Sequence, residues 1–86
     1  MKYQIEVSKE VKKFLKKHPE VIFRFFRITN FLEDDPYSPL VDIKNLQGEE
    51  NKYRFRIGKY RFLYEVEDQV LLIYIYDADS RGSIYK

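Results

Sequence analysis

A chain of 86 residues fits one domain, 1–86, with no room for a second. With 44% hydrophobic and 17% aromatic residues, it has enough large apolar side chains to close a core unaided by disulfides or metal, which excludes a disordered chain. No cysteine and a single histidine exclude a disulfide framework, a thiolate metal site, a thiol nucleophile and a His-rich cluster.

The start of the chain lacks the apolar stretch of a signal peptide, and no segment approaches the roughly 20 apolar residues that span a bilayer. A soluble, cytoplasmic protein with no membrane partner is expected. The net charge of +2 conceals blocks: residues 1–30 and 52–66 are basic, and 31–51 and 67–86 are acidic. Two basic segments between acidic loops offer a polyanion a positive surface if folding brings them together.

In chain order, Tyr3, Ile5 and Val7 alternate with polar residues, the period of a half-buried strand, and Ser8 offers an N-cap for a helix. From Lys9 to Lys17 a helix is predicted with Val11, Phe14 and Leu15 on one face. Lys12, Lys13, Lys16 and Lys17 on its other sides are either solvated charge or a contact for RNA phosphates. His18 and Pro19 interrupt, and Pro19 opens a second helix through about residue 34 whose apolar residues recur at three- and four-residue spacing. Its phenylalanines outnumber what a single buried stripe needs, so Phe23 and Phe26 are expected to face outward as a docking surface for a partner helix or strand.

Asp34, Asp35 and Pro36 stop that helix, and residues 36–51 read as a long acidic connection. Tyr53, Phe55 and Ile57 then alternate with Lys52, Arg54 and Arg56, which puts three apolar groups on one face of a strand and three cations on the other. Gly58 and Lys59 turn the chain, Tyr60 to Val66 form the next strand, and Gln69 to Tyr76 run almost continuously apolar as a central strand does. Asp77 to Lys86 reads as a polar tail. The order is β-α-α-β-β-β, an α+β fold with two N-terminal helices packed on one face of an antiparallel sheet. The other face carries the cations, with Arg61 on the third strand near Arg54 or Arg56 on the second, an arrangement that calls for an anionic partner.

Several segments together resemble the RelE/ParE family of toxins. They are the opening strand with its lysine-rich helical pair, Leu46-Gln47-Gly48, Tyr53-Arg54-Phe55-Arg56-Ile57-Gly58, Tyr60-Arg61-Phe62-Leu63-Tyr64-Glu65-Val66 and Ser80-Arg81-Gly82-Ser83-Ile84-Tyr85. The resemblance covers the whole chain. It implies a RelE-like fold, a cognate antitoxin that neutralises the toxin, contact with operator DNA only through the antitoxin complex, and no cofactor or metal. For RelE-type members it implies cleavage of mRNA in the ribosomal A site, amid rRNA; ParE-type members instead inhibit DNA gyrase, and a non-toxic antitoxin-binding remnant of the fold is a third alternative. The catalytic set it implies is Arg54, Arg56, Arg61, Arg81 and Tyr85.

A metal-free ribonuclease that uses the substrate 2′-hydroxyl must remove its proton, stabilise charge on the phosphate and protonate the leaving 5′-oxygen. Guanidinium groups suit the middle task, since they stay charged and grip phosphate oxygens in pairs. The proton-transfer tasks fall to Tyr85 by resemblance, with Lys52 and Glu65 as alternative acid or base; both also have structural readings, Glu65 as a salt-bridge partner. Where a family member carries Lys on the second strand, this chain has Arg, which does not exchange a proton near neutral pH.

Overall fold

The structure, a computed structural model, describes residues 2–80. The elements in order are β1 (Gln4–Val7), α1 (Lys9–Lys17), a 3-10 turn (Pro19–Val21), α2 (Ile22–Asp34), β2 (Ile43–Asn45), β3 (Lys52–Ile57), β4 (Tyr60–Glu67), a second 3-10 turn (Asp68–Val70) and β5 (Leu72–Asp79). The strands form one sheet in the order β1-β5-β4-β3-β2.

Local chemistry sets the boundaries. The Ser8 hydroxyl accepts from the Val11 amide at 3.2 Å and caps α1, while Lys16 and Lys17 sit in its last turn, where the helix dipole favours cations. Pro19 heads the 3-10 turn, whose orphan first amides suit a residue without an N–H, and α2 follows directly. It ends at Asp35, whose extended backbone leads into Pro36. Between β3 and β4, Gly58 takes φ +58° in the tight turn that sets Ile57 opposite Tyr60.

Both helices cover one face of the sheet. Phe25 of α2 meets Phe62 of β4 with ring centroids 5.2 Å apart, and Phe62 stacks on Phe55 of β3 at 5.0 Å. Phe14 of α1 reaches the same Phe62 edge-on at 5.5 Å. These rings are joined by the buried Val11, Leu32, Tyr64, Val66, Ile73 and Ile75. Each such side chain removed from water contributes about 1.5–3 kcal/mol, which is why the alternation of β3 and β4 has only one stable register.

Three details depart from the sequence reading. The sheet is mixed: β1 lies parallel to β5, pairing Ile5 with Ile73 and Val7 with Ile75. The helical pair carries the chain from β1 to the far edge of the sheet, and the antiparallel meander back delivers β5 alongside β1 in the same direction. Residues 43–45 of the expected connection form the edge strand β2, antiparallel to β3, and three residues are too few to show a period. Finally, β5 continues through Asp79 into the expected polar tail, because a register shift opposite Leu63 and Tyr64 lets Asp77 pair with Leu63 and Asp79 with Arg61.

Candidate active site

The open face is written by the β3–β4 register. Arg56 stands directly opposite Arg61, Arg54 opposite Leu63, and Lys52 opposite Glu65. On the other side of β3, Lys44 of β2 faces Arg54. Adjacent cross-strand positions on one face sit close enough for side chains to interact, so Arg56 and Arg61 form a pair of like charges whose repulsion an anion between them relieves. Asp79, near the end of the described chain, is the β5 neighbour of Arg61.

The acidic connection before β2 supplies the counterion to β3. Asp42 Oδ2 accepts from Arg56 Nε at 2.9 Å, Asp42 Oδ1 accepts from Arg54 Nη1 at 3.1 Å, and the Asp42 backbone carbonyl accepts from the same Nη1 at 3.1 Å. Two guanidiniums therefore share one residue. These bonds, from Arg56 first and Arg54 second, hold the Asp42 carboxyl below its ordinary range. The Arg54 side chain is only 12% exposed, whereas that of Arg56 is 44% exposed. The position of Asp42 depends on a strap beneath it. The Tyr64 hydroxyl donates to the Pro36 carbonyl at 2.7 Å inside the core, and Ser38 and Val41 are buried.

The opposite end of the face is of different character. Lys52 Nζ pairs with Glu49 at 3.1 Å, and that hydrogen bond raises its pKa. Lys52 also lies 5.9 Å from the Tyr76 ring centroid, in cation–π range. Tyr76 and Tyr74 stand beside each other with centroids 6.3 Å apart, and burial raises the Tyr76 pKa. The neighbouring Glu65 carboxyl raises the Glu67 carboxyl above its ordinary range. The face thus runs from an arginine end at Arg56 and Arg61 to an end of Lys52, Glu65, Glu67 and tyrosine, with the buried Leu63 between them.

The structure brings Arg54, Arg56 and Arg61 together and sets Lys52 against Glu65 a few positions along the strands. Arg81 and Tyr85 lie outside the described residues. Lys12, Lys13, Lys16 and Lys17 are exposed, but on the helical layer, so the two basic segments of the sequence occupy different layers instead of one surface. Phe23 and Phe26 of α2 are 74% and 59% exposed on that layer, beside a shallow cleft lined by Arg24, Arg27, Ile28, Phe31 and Leu40. Sequence reasoning missed Asp42, for which the strong negative charge of residues 31–51 was a usable signal. Tyr74 and Tyr76 alternate with the buried Ile73 and Ile75, the pattern of sheet-face packing.

Chemically, the arginine end can bind and stabilise a phosphodiester, and the Lys52–Glu65 end and the tyrosines offer groups that hold or move protons or stack on a base. Among the described residues no three His, Cys, Asp or Glu side chains gather in a way that could hold a metal, and no helix is long and apolar enough to cross a membrane.

No family model matches the chain. The RelE1 protein of Methanocaldococcus jannaschii is 36% identical to it over 77 residues, which cover 85% of this chain and 86% of that protein. Among solved structures, the archaeal RelE–RelB complex from Pyrococcus horikoshii superposes with a TM-score of 0.80 at 31% identity, covering 96% of this chain and 99% of that one. The RelB–RelE antitoxin–toxin complex from Methanococcus jannaschii gives 0.74 at 30% identity, covering 94% and 95%. Two helices on a mixed sheet with a basic open face, together with a relative more than a third identical across most of both chains, establish that this chain belongs to the RelE family of toxins.

Proposed function

We propose that this protein is the toxin of a toxin–antitoxin pair and acts as a metal-independent endoribonuclease on mRNA held in the ribosomal A site. The observation that carries the reading is the cross-strand pair Arg56–Arg61, with Arg54 beside it, on the face the helices leave open. In the proposed reaction O2′ attacks the adjacent phosphorus, the 2′-hydroxyl gives up its proton, and the P–O5′ bond breaks as O5′ takes one up. Arg54, Arg56, Arg61 and, by family resemblance, Arg81 stabilise the charge that builds on the phosphate. Tyr85 serves by resemblance as base or stacking platform; Lys52 and Glu65 are the alternative proton carriers.

Arginines make a poor acid–base set, so the ribosome's positioning of the substrate supplies much of the rate. The exposed lysines of α1 fit contacts to rRNA phosphates. The solved neighbours from Pyrococcus and Methanococcus are complexes with RelB, which supports a cognate antitoxin here, and through it any operator DNA contact, with Phe23 and Phe26 as part of the surface that partner covers. The site of action, and so the location, is the cytoplasm.

The test is controlled expression in a bacterium with primer extension on translated and untranslated copies of one mRNA, for wild type and the Arg61→Ala, Tyr85→Phe double variant. Cuts confined to the translated copy and lost in the double variant are expected. Growth arrest without cuts in either copy refutes the nuclease reading and favours a gyrase inhibitor, while unrestrained expression without arrest favours a non-toxic remnant.

A further inference from the structure

The carboxylate on Arg54 and Arg56 occupies the place that the proposed reaction gives to RNA. A carboxylate and a phosphodiester each present two anionic oxygens to a guanidinium fork, so one stands in for the other sterically and electrostatically. Asp42 spans both arginines with its two side-chain oxygens. Arg54 has little of its surface left for another ligand, while the Asp42 side chain is 50% exposed and can be reached by one. The backbone on either side is fixed, since Val41 is buried and Ile43 is paired with Phe55 in the sheet. Freeing both guanidiniums from the carboxylate then needs only rotation of the Asp42 side chain, while the Asp42 carbonyl keeps its hold on Arg54 Nη1.

We propose that Asp42 is a built-in competitor for the phosphate subsite of this face: one phosphodiester of a single-stranded RNA displaces its carboxylate from Arg54 and Arg56. The inference rests on the ribonuclease reading for the identity of the ligand. Before RNA arrives the carboxylate keeps two neighbouring cations oriented and partly neutralised. It also sets a threshold, because loosely presented RNA must outcompete an anion that is already in place, whereas RNA positioned by the ribosome does so at low entropic cost.

The test uses the full chain and an uncleavable single-stranded RNA with 2′-O-methyl groups, with binding read by fluorescence anisotropy at fixed salt. Asp42→Asn is expected to tighten binding about five- to tenfold, as befits a half-exposed charge pair. Glu50→Gln removes the same charge from the same connection away from the arginines, and is expected to change affinity less than twofold. Replacing Arg54 and Arg56 together by Gln should abolish the gain. In wild type, the Arg56 Nε–Hε resonance should move on RNA addition to the position it takes in RNA-bound Asp42→Asn, where phosphate is its anionic acceptor.

Equal or weaker binding by a folded Asp42→Asn, or an Arg56 resonance that stays in place while RNA binds, overturns the proposal and marks Asp42 as a purely orienting residue. Ribosome-dependent cutting alongside that result leaves the nuclease reading standing. Tighter binding by Asp42→Asn with no cutting on ribosomes supports the competitor and refutes the nuclease.

Discussion

The two faces of one sheet are built from the same strands by the same alternation, yet they use it for opposite ends. Toward the helices, Phe55, Phe62, Tyr64 and Ile75 lie fully buried and interlock with Phe25 and Val11. Toward solvent stand Lys52, Arg54, Arg56 and Arg61, the first three of which lean on carboxylates from outside the strands. The first face gains from burial, which is nondirectional and large; the second gains little stability, since exposed ion pairs contribute about 0–1 kcal/mol. What the open face gains is positioned charge. The difference teaches that stability and positioned charge are separable here by face, residue by alternate residue.

The strongest way to break that comparison is to exchange the effects. Phe62→Ala empties a site ringed by Phe14, Phe25 and Phe55, and should cost about 3–5 kcal/mol in a denaturant titration. Arg61→Ala, one residue earlier and facing the other way, should shift stability by less than about 1 kcal/mol, because it also relieves the repulsion with Arg56. On the proposed ribonuclease reading, loss of this charge-stabilising donor should slow ribosome-dependent cutting about 10²–10³-fold with the melting curve nearly unmoved. An Arg61→Ala protein that unfolds, or one that cuts normally, ends the division of labour between the faces.

A smaller effect joins the two faces. The Tyr64 hydroxyl belongs to the core, but its acceptor, the Pro36 carbonyl, lies on the strap that leads to Asp42. Tyr64→Phe leaves that carbonyl without its donor and should cost about 1–3 kcal/mol by chemical denaturation. Because the strap sets where Asp42 stands, the same variant should also alter the Arg54 and Arg56 side-chain resonances in an NMR spectrum. Unchanged arginine signals would show that β2 alone holds Asp42 in place.

How much of this was legible depended on the length of each pattern. The helices announced themselves through Ser8, Pro19 and their apolar spacing, and β3 and β4 through six to eight residues of alternation, enough to fix which face each arginine takes. The direction of β1 was not legible. Strand direction in a mixed sheet is a property of the route between strands, and Ile5 and Val7 read the same whether parallel or antiparallel. Nor was β2, since Ile43–Asn45 is shorter than any period. At the site, the arginine pair followed from register, but Asp42 did not, because an ion pair spanning 14 residues leaves no mark beyond the bulk charge of the acidic block. Resemblance added Arg81 and Tyr85, which alternation could never have supplied.

The smallest prediction concerns that carboxylate and has a definite sign. The arginines depress the Asp42 pKa in the folded protein below its unfolded value. A depressed carboxyl contributes stability that is complete above its unfolded pKa, about 4, and is lost as pH falls through the folded one. Wild type should therefore exceed Asp42→Asn in stability by no more than about 1 kcal/mol at pH 7, given the exposure of the pair. The gap should hold down to about pH 5, close at lower pH, and narrow in high salt, all measurable as denaturant midpoints of the two proteins side by side. A gap that widens toward acid would mean that the folded protein favours the protonated carboxyl, the reverse of the depression that its bonds to Arg54 and Arg56 impose.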